Sequence, residues 1–318
     1  MRAILTGAAG MIGSHLAEKL IEAGLEIVAI DNLSTGRREN LSRARKMAEE
    51  RGLYFRLIVT DAGRAIWHVI ERADIVFHLA AVVGVERVMA RPGAVLVDMH
   101  RATSEVIEAC TVNQVRLVMA SSSEVYGRSE AVPFREDQDC QIGPPTNPRG
   151  SYALIKLAEE YLALENFRRY GLPVTIARLF NTVGPRQRAD YGMVVPRFVR
   201  QALAQRPLTI HGDGWQTRCF ANVRDVVRCL FLISQDGHEG QVFNIGSTQE
   251  TAIKTLAELV IKLTGSKSTV VHEPGRDGDM QCRKPDVSKL RALCGCVPET
   301  PLGDTLQEII DHERGGER

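Results

Sequence analysis

Residues 6–13 read Thr6-Gly7-Ala8-Ala9-Gly10-Met11-Ile12-Gly13. They join the apolar run "AILTG" to "MIGSHLAEKLIEAG", whose apolar residues Ile12, Leu16, Leu20 and Ile21 fall at helical spacing, with Gly24 as a stop. A strand, a glycine-rich turn and a helix in that order form a phosphate-binding unit. The glycines permit the tight turn, let the backbone approach a pyrophosphate, and allow close helix–strand packing. The helix N-terminal amides then receive the anion. Gly7, Gly10, Met11, Ile12 and Gly13 are therefore the first candidate cofactor residues. The spacing alone is a weak signal, but the next strand, "EIVAID", ends on Asp31, eighteen residues past Gly13. A carboxylate there accepts bonds from both ribose hydroxyls and repels a 2′-phosphate, which favours NAD over NADP. Asp61, after "LIVT", either meets the adenine or is a solvated acid at a strand end.

Outward from this unit the alternation continues. "LYFRLIVTD", "ADIVFHLAA", "VRLVMASSS", "LPVTIARLF" and "GQVFNIGS" are apolar runs ending in small or polar residues, with helical stretches such as "YALIKLAEEYLALENFRRYG" between them. Nearly all-apolar strands alternating with helices predict an α/β fold, a Rossmann doubly wound parallel sheet covered on both faces. Its ligands bind at the carboxyl ends of the strands. After about residue 180 the chain becomes rich in Gly, Pro and Arg. The expected division is a Rossmann domain over 1–180, rejoined by 221–247, and a smaller α/β substrate-binding portion over 181–220 and 248–318.

Composition excludes other classes. The 318 residues are 44% hydrophobic and 25% charged, with a formal net charge of +1, so no global field draws nucleic acid or an anionic membrane. No apolar run approaches the ~20 residues of a membrane span, and glycines interrupt the N-terminal run too early for a signal peptide. A soluble protein is expected. Seven scattered cysteines suit reduced thiols in a cytoplasmic enzyme, and Cys294-Gly-Cys296 lacks a second pair to complete a zinc set, so no metal is expected.

Tyr152 and Lys156 stand four apart, on one helical face. An ammonium beside a phenol stabilises the phenolate, and an oxidised nicotinamide adds a second positive charge. The tyrosine can then act as a base near neutral pH. Upstream, "SSSEVYG" at 121–127 follows a strand at the sheet's carboxyl edge.

Taken together, Thr6–Gly13, Asp31, "HLAA" at 78–81, "SSSEVYG", Tyr152/Lys156 and "RLFNTVGPRQ" at 178–187 resemble the extended short-chain dehydrogenases/reductases, and among them the nucleotide-sugar epimerase, dehydratase and decarboxylase branch. The resemblance spans essentially the whole chain. It implies Tyr152 as base, Lys156 as its lysine and Ser122 as the hydroxyl on the sugar 4-oxygen. It adds Asn32, Ala62, Leu79, Ala80, Ala81 and Lys156 to the NAD contacts. On the substrate side it implies Ser123, Asn181 and Val195, with Thr209 and His211 at the nucleotide base. Arg218 and Arg276 belong at the diphosphate and Asp279 at the ribose. It also implies a homodimer built on the helices flanking the sheet, whose Tyr161, Leu162 and Leu164 could equally be intramolecular core. Met99 departs from the family, which usually has asparagine there, so either Asp98 compensates or the cofactor contacts differ.

The branch shares a first step: the base takes the 4-hydroxyl proton as hydride passes from C4 to NAD, giving a 4-keto sugar. Glu124 then discriminates, since simple epimerases tolerate a small or hydroxyl residue there. Dehydratases of the thymidine-diphosphoglucose type place an acid where this chain has Ser123. Counting from Asp279 to Asp286 aligns Arg283, in "CRKPDVSK", with the contact to the sugar's C6 end, as in UDP-glucuronate decarboxylases. Arg188, in "GPRQRAD", resembles the carboxylate-holding arginine of glucuronate 4-epimerases instead. The reading is a UDP-sugar enzyme, first a UDP-glucuronate decarboxylase forming UDP-xylose, then a 4-epimerase, then a 4,6-dehydratase.

Overall fold

The computed structural model describes residues 1–82, 84–190, 192–275 and 280–316. In chain order it runs through β1 (Arg2–Thr6), α1 (Met11–Glu22), β2 (Glu26–Asp31), α2 (Ser42–Glu50), β3 (Phe55–Val59), α3 (Ala62–Ile66), β4 (Ile75–His78), α4 (Val85–Ala90) and α5 (Pro92–Asn113). Next come β5 (Arg116–Ser122), α6 (Ser151–Tyr170), β6 (Val174–Leu179), β7 (Thr182–Val183), α7 (Val194–Leu203), β8 (Leu208–His211), β9 (Thr217–Cys219) and β10 (Ala221–Asn222). The chain continues with α8 (Val223–Leu232), β11 (Gln241–Ile245), β12 (Glu250–Ala252), α9 (Ile253–Thr264), β13 (Val270–Glu273), α10 (Ser288–Cys294) and α11 (Leu302–Gly316).

Seven strands form one parallel sheet in the order β11-β6-β5-β4-β1-β2-β3, as the apolar runs predict. The middle of the sheet is mostly apolar because successive side chains point to opposite faces, both of them buried. In β1, Ala3 and Leu5 pack with α1 and α8 on one face, whereas Ile4 joins the cluster of α3, α5 and α6 on the other. β2 divides in the same way, Ile27 and Ala29 against Val28 and Ile30. The topology reverses between β1 and β4, and the loops after these strands open at the carboxyl edge, where doubly wound sheets bind ligands.

A second apolar cluster is built by α7, β8, α9 and α11 around Phe198, Ile210, Leu256, Val260 and Leu306. β8 pairs with β13, and β9 with β12, beside the strand ends of the main sheet. Val287, Leu290 and Val297 pack into the main sheet's core. Among the described residues no helix is long and apolar enough to cross a membrane.

Candidate active site

The glycine-rich turn is held open by sterics. Gly7 has φ +69°, and a β-carbon on it would lie 2.8 Å from the Ala80 amide nitrogen; one on Gly13 would lie 2.2 Å from the Gly7 carbonyl oxygen. No side chain caps α1, so its first-turn amides, at Met11, Ile12 and Gly13, face the turn without a protein acceptor of that kind. That is the arrangement a pyrophosphate needs. Asp31 is buried at the end of β2, where it accepts the amides of Ala9 at 2.9 Å and Leu33 at 2.7 Å. These bonds fix its carboxylate beside the turn. Asn32 donates to Asp61 at 2.8 Å, which places Asp61 at the same edge, directly before Ala62 at the start of α3. Leu79 and Ala80 lie against the turn, their amides donating to Thr6. The residues present thus fit a dinucleotide, with an acid where the ribose hydroxyls belong.

β5 delivers the second group. Ser122 ends the strand, and residues 123–126 wind into one 3-10 turn capped by the Ser122 hydroxyl, which accepts the Glu124 amide at 3.2 Å. Ser122 also hydrogen-bonds the Tyr152 phenol. α6 begins at Ser151 and carries Tyr152 and Lys156 on the face turned to β5. The Lys156 ammonium is buried and donates to the Ala120 carbonyl at 3.0 Å and to Glu159 at 2.9 Å. Burial pushes the Tyr152 phenol upward; Lys156 and the Ser122 hydrogen bond pull it down, and Glu159 and Glu124 oppose them. Burial alone would strip Lys156 of its proton, but Glu159 and Tyr152 together hold its ammonium above the ordinary lysine range. The lysine is therefore a cation beside the phenol near neutral pH. Met99 is buried against Val95 and Ile155, with Ala81 and Tyr152 packed on it, so this position contributes shape. Asp98 is exposed and pairs with Arg101 at 3.5 Å, so it does not take over the usual asparagine's place.

A salt bridge completes this corner. The Arg283 Nη2 donates to Glu124 Oε2 at 3.0 Å, although 159 residues separate the two. The Arg283 segment is clamped by a bridge between Phe134 and Pro285, by the Phe134 amide donating to the Lys284 carbonyl while the Phe134 carbonyl accepts the Asp286 amide, and by the Asn244 side-chain amide donating to the Phe134 and Asp286 carbonyls. Arg283 is only 6% exposed, and its Nη1 has no partner among the described residues. A guanidinium nitrogen desolvated without an acceptor is costly unless a ligand supplies one.

The remaining predicted residues have partners of their own. Thr209 and His211, on β8, are bridged by Arg197 of α7, which reaches the Thr209 carbonyl at 3.0 Å and the His211 ring at 3.2 Å. Arg218, on β9, donates to the Thr217 and Met280 carbonyls. The Asn181 amide donates to the Cys219 carbonyl at 3.4 Å. Ser123 is buried inside its turn, and Val195 is core of α7. Arg188 pairs with Asp190 at 2.8 Å and touches the Thr35 carbonyl in the loop after β2. Arg276 and Asp279 lie outside the described residues. A separate cavity of about 360 Å³, lined by His15, Glu18, Arg186, Arg224, Glu308 and His312 among others, contains none of these groups.

Three further groups escaped the sequence reading. Arg178 grips Glu160 with Nε and Nη2, at 3.0 and 2.8 Å, and donates to the Tyr126 hydroxyl at 3.0 Å, while Ser121 donates to the same Glu160. This pair braces the end of β5 against α6. Glu159 and Arg197 are the others. The available signal was spacing: Glu159 and Glu160 follow Lys156 by three and four residues, on the same helical face.

Residues 3–246 match the model of the NAD dependent epimerase/dehydratase family. A UDP-N-acetyl-alpha-D-glucosaminuronate decarboxylase of Bacillus cytotoxicus is 36% identical over 317 residues, covering 97% of this chain and 96% of its own. UDP-glucuronic acid decarboxylase 1 of Arabidopsis thaliana is 34% identical, over 99% of this chain and 70% of the relative. The crystal structure of UDP-glucuronic acid 4-epimerase from Bacillus cereus, in complex with UDP-glucuronic acid and NAD, superposes with a TM-score of 0.84 at 28% identity, over 99% of each chain. With the glycine turn, Asp31 and the Tyr152/Lys156 pair in place, the chain belongs to the NAD dependent epimerase/dehydratase family and is an NAD-dependent enzyme.

Proposed function

We propose that this protein decarboxylates a UDP-hexuronate, UDP-glucuronate first among them, to the corresponding UDP-pentose. The observation that carries the reading is the Arg283 guanidinium, fixed by Glu124 through Nη2 and left with a buried Nη1 lacking an acceptor. A sugar carboxylate at C6 satisfies that nitrogen, and a neutral hydroxymethyl group does so far less well. Bound NAD supplies a hydride acceptor at C4 and returns the hydride at the end. Tyr152 takes the 4-hydroxyl proton while Ser122 holds the 4-oxygen. Lys156, two of whose N–H groups are taken by Ala120 and Glu159, keeps its third for a cofactor ribose hydroxyl. Oxidation at C4 makes the C6 carboxylate a β-keto acid, and CO2 departs. Its loss leaves an enolate whose C5 takes a proton from solvent water, and Tyr152 gives its own proton back to the 4-oxygen as the hydride returns to C4. Thr209, His211, Arg197, Arg218 and Asn181 hold the uridine diphosphate.

The relatives that act on uronates by decarboxylation support the reading, and so does Ser123, which offers no acid for expelling a 6-hydroxyl. The second reading, 4-epimerisation, is favoured by the solved epimerase complex with UDP-glucuronic acid. Product mass separates the two. Incubation with UDP-glucuronate should give a product lighter by one CO2. Unchanged mass with a shifted retention time would establish the epimerase instead, and no turnover of any UDP-hexuronate would remove the assignment.

We also propose a homodimer through α5 and α6, in a cytoplasmic, reducing setting suited to seven cysteines with no disulfide among them. Leu162 and Leu164 pack inward against the sheet, whereas Tyr161 is 67% exposed, and Val97 and Val112 of α5 are exposed as well. Light scattering should report twice the chain mass for the native protein and the monomer mass for Tyr161→Glu. A native monomer would rule the interface out.

A further inference from the structure

Behind the catalytic pair lies a buried row of polar side chains whose donors all point toward Glu159. The Ala80 amide donates to the Thr6 hydroxyl at 3.2 Å, and Thr6 meets His78 Nδ1 at 2.8 Å. His78 Nε2 meets the Thr103 hydroxyl at 3.1 Å, and Thr103 donates to Glu159 Oε1 at 2.8 Å. The other carboxylate oxygen, Oε2, accepts from Lys156 at 2.9 Å. Thr103 spends its one proton on the carboxylate, so His78 must donate through Nε2. Its Nδ1 is then bare and accepts the Thr6 proton. Burial, with Lys156 adding to it, lowers His78 to about 3, so the ring is neutral, as this pattern requires.

We propose that Glu159 is a positioning residue of the reaction, the fixed counter-charge that holds Lys156 in place and joins it to the glycine-rich cofactor turn through Thr103, His78 and Thr6. This deepens the reading of Tyr152 and Lys156 as the catalytic pair and rests on it. Three observations support it. Lys156, Glu159, His78 and Thr103 are all at most 2% exposed, so each polar atom must be met inside the protein. A buried lysine without an anion sheds its proton. Leu79 and Ala80 close on Gly7, and Ala80 donates to Thr6, so a displaced turn would displace the carboxylate and then the ammonium.

The charged and titratable groups facing this point are Lys156, Tyr152 and Glu160 on α6, His78 on β4 and Glu124 after β5. Glu160 is occupied by Arg178 and Ser121, which leaves Glu159 as the anion bonded to the ammonium. Its negative charge keeps the proton on Lys156 and also works against ionisation of Tyr152. Removing it therefore acts on both groups in the same direction.

The test is the pH profile of kcat for the holoenzyme, in which activity rises as Tyr152 ionises and falls as Lys156 loses its proton. Glu159→Gln keeps the shape and removes the charge, and the whole bell should move to lower pH. Ultraviolet difference titration of the protein without substrate, with Tyr152→Phe as the subtracting background, should move the Tyr152 transition the same way. That second measurement needs no turnover, so it stands even if the proposed substrate is wrong. A Glu159→Gln bell and titration that stay in place, with only the height reduced, would overturn the proposal and leave a purely structural carboxylate. Glu159→Asp keeps the charge one methylene short. It should leave both limbs in place and lower kcat about 10²-fold through misplacement of Lys156; wild-type kcat in this variant would equally overturn it.

Discussion

Tyr152→Phe is expected to lower kcat by about 10²- to 10⁴-fold, the range that a positioned general base contributes. The ring packs against the buried cluster of Met99, Val95 and Ile155, and phenylalanine preserves that contact, so the fold and its thermal midpoint should be unchanged. Only the hydroxyl that meets Ser122 and stands beside the Lys156 ammonium is lost. NAD affinity should stay close to that of the native protein, because the glycine turn, Asp31 and Lys156 are untouched. Steady-state kinetics beside a calorimetric NAD titration separates these effects. A kcat within about tenfold of native would assign the base to another group.

Arg283→Met is the second large effect and bears on the choice of substrate. The substitution removes the partner of Glu124 and the unpaired Nη1, and it keeps an apolar stem of similar length in a buried site. Charge-assisted hydrogen bonds contribute about 1.5–3 kcal/mol each, so the Kd for UDP-glucuronate should rise about 10- to 100-fold. The Kd for UDP-glucose should change much less, since that sugar has no carboxylate to lose the contact. Calorimetry with both nucleotide sugars decides the matter. Equal losses would mean that Arg283 only braces the Glu124 turn. Breaking the pair also leaves Glu124 without its cation, but the Glu124 side chain is 33% exposed and water can take part of the load. The stability loss should therefore fall below the several kcal/mol expected for a fully buried pair.

Much of this was legible in single stretches of sequence. The glycine turn and Asp31 follow from local rules, because turn geometry and the end of a strand depend on neighbours a few residues away. The doubly wound sheet was legible because burial on both faces leaves nearly uninterrupted apolar runs. The i, i+4 spacing placed Tyr152 and Lys156 together without any tertiary information. Elsewhere spacing misled or was silent. Asp98 adjoins Met99 in sequence but points to solvent on its helix. Leu162 and Leu164 turn inward while Tyr161 turns out, a difference set by which face of α6 the sheet covers.

The sequence by itself determined the Rossmann frame, the glycine-rich turn with Asp31 beside it, and the placing of Tyr152 and Lys156 on one helical face, each written in contacts at short range along the chain. Only the tertiary structure decided that Arg283 meets Glu124, and that Glu159 reaches the cofactor turn through Thr103, His78 and Thr6. Those alignments depend on distant strands closing on one another: Phe134 against Pro285 in the first case, β1 beside β4 with α5 against α6 in the second. No local propensity encodes such closures. They are fixed by the burial of polar groups that must find partners wherever the fold brings them.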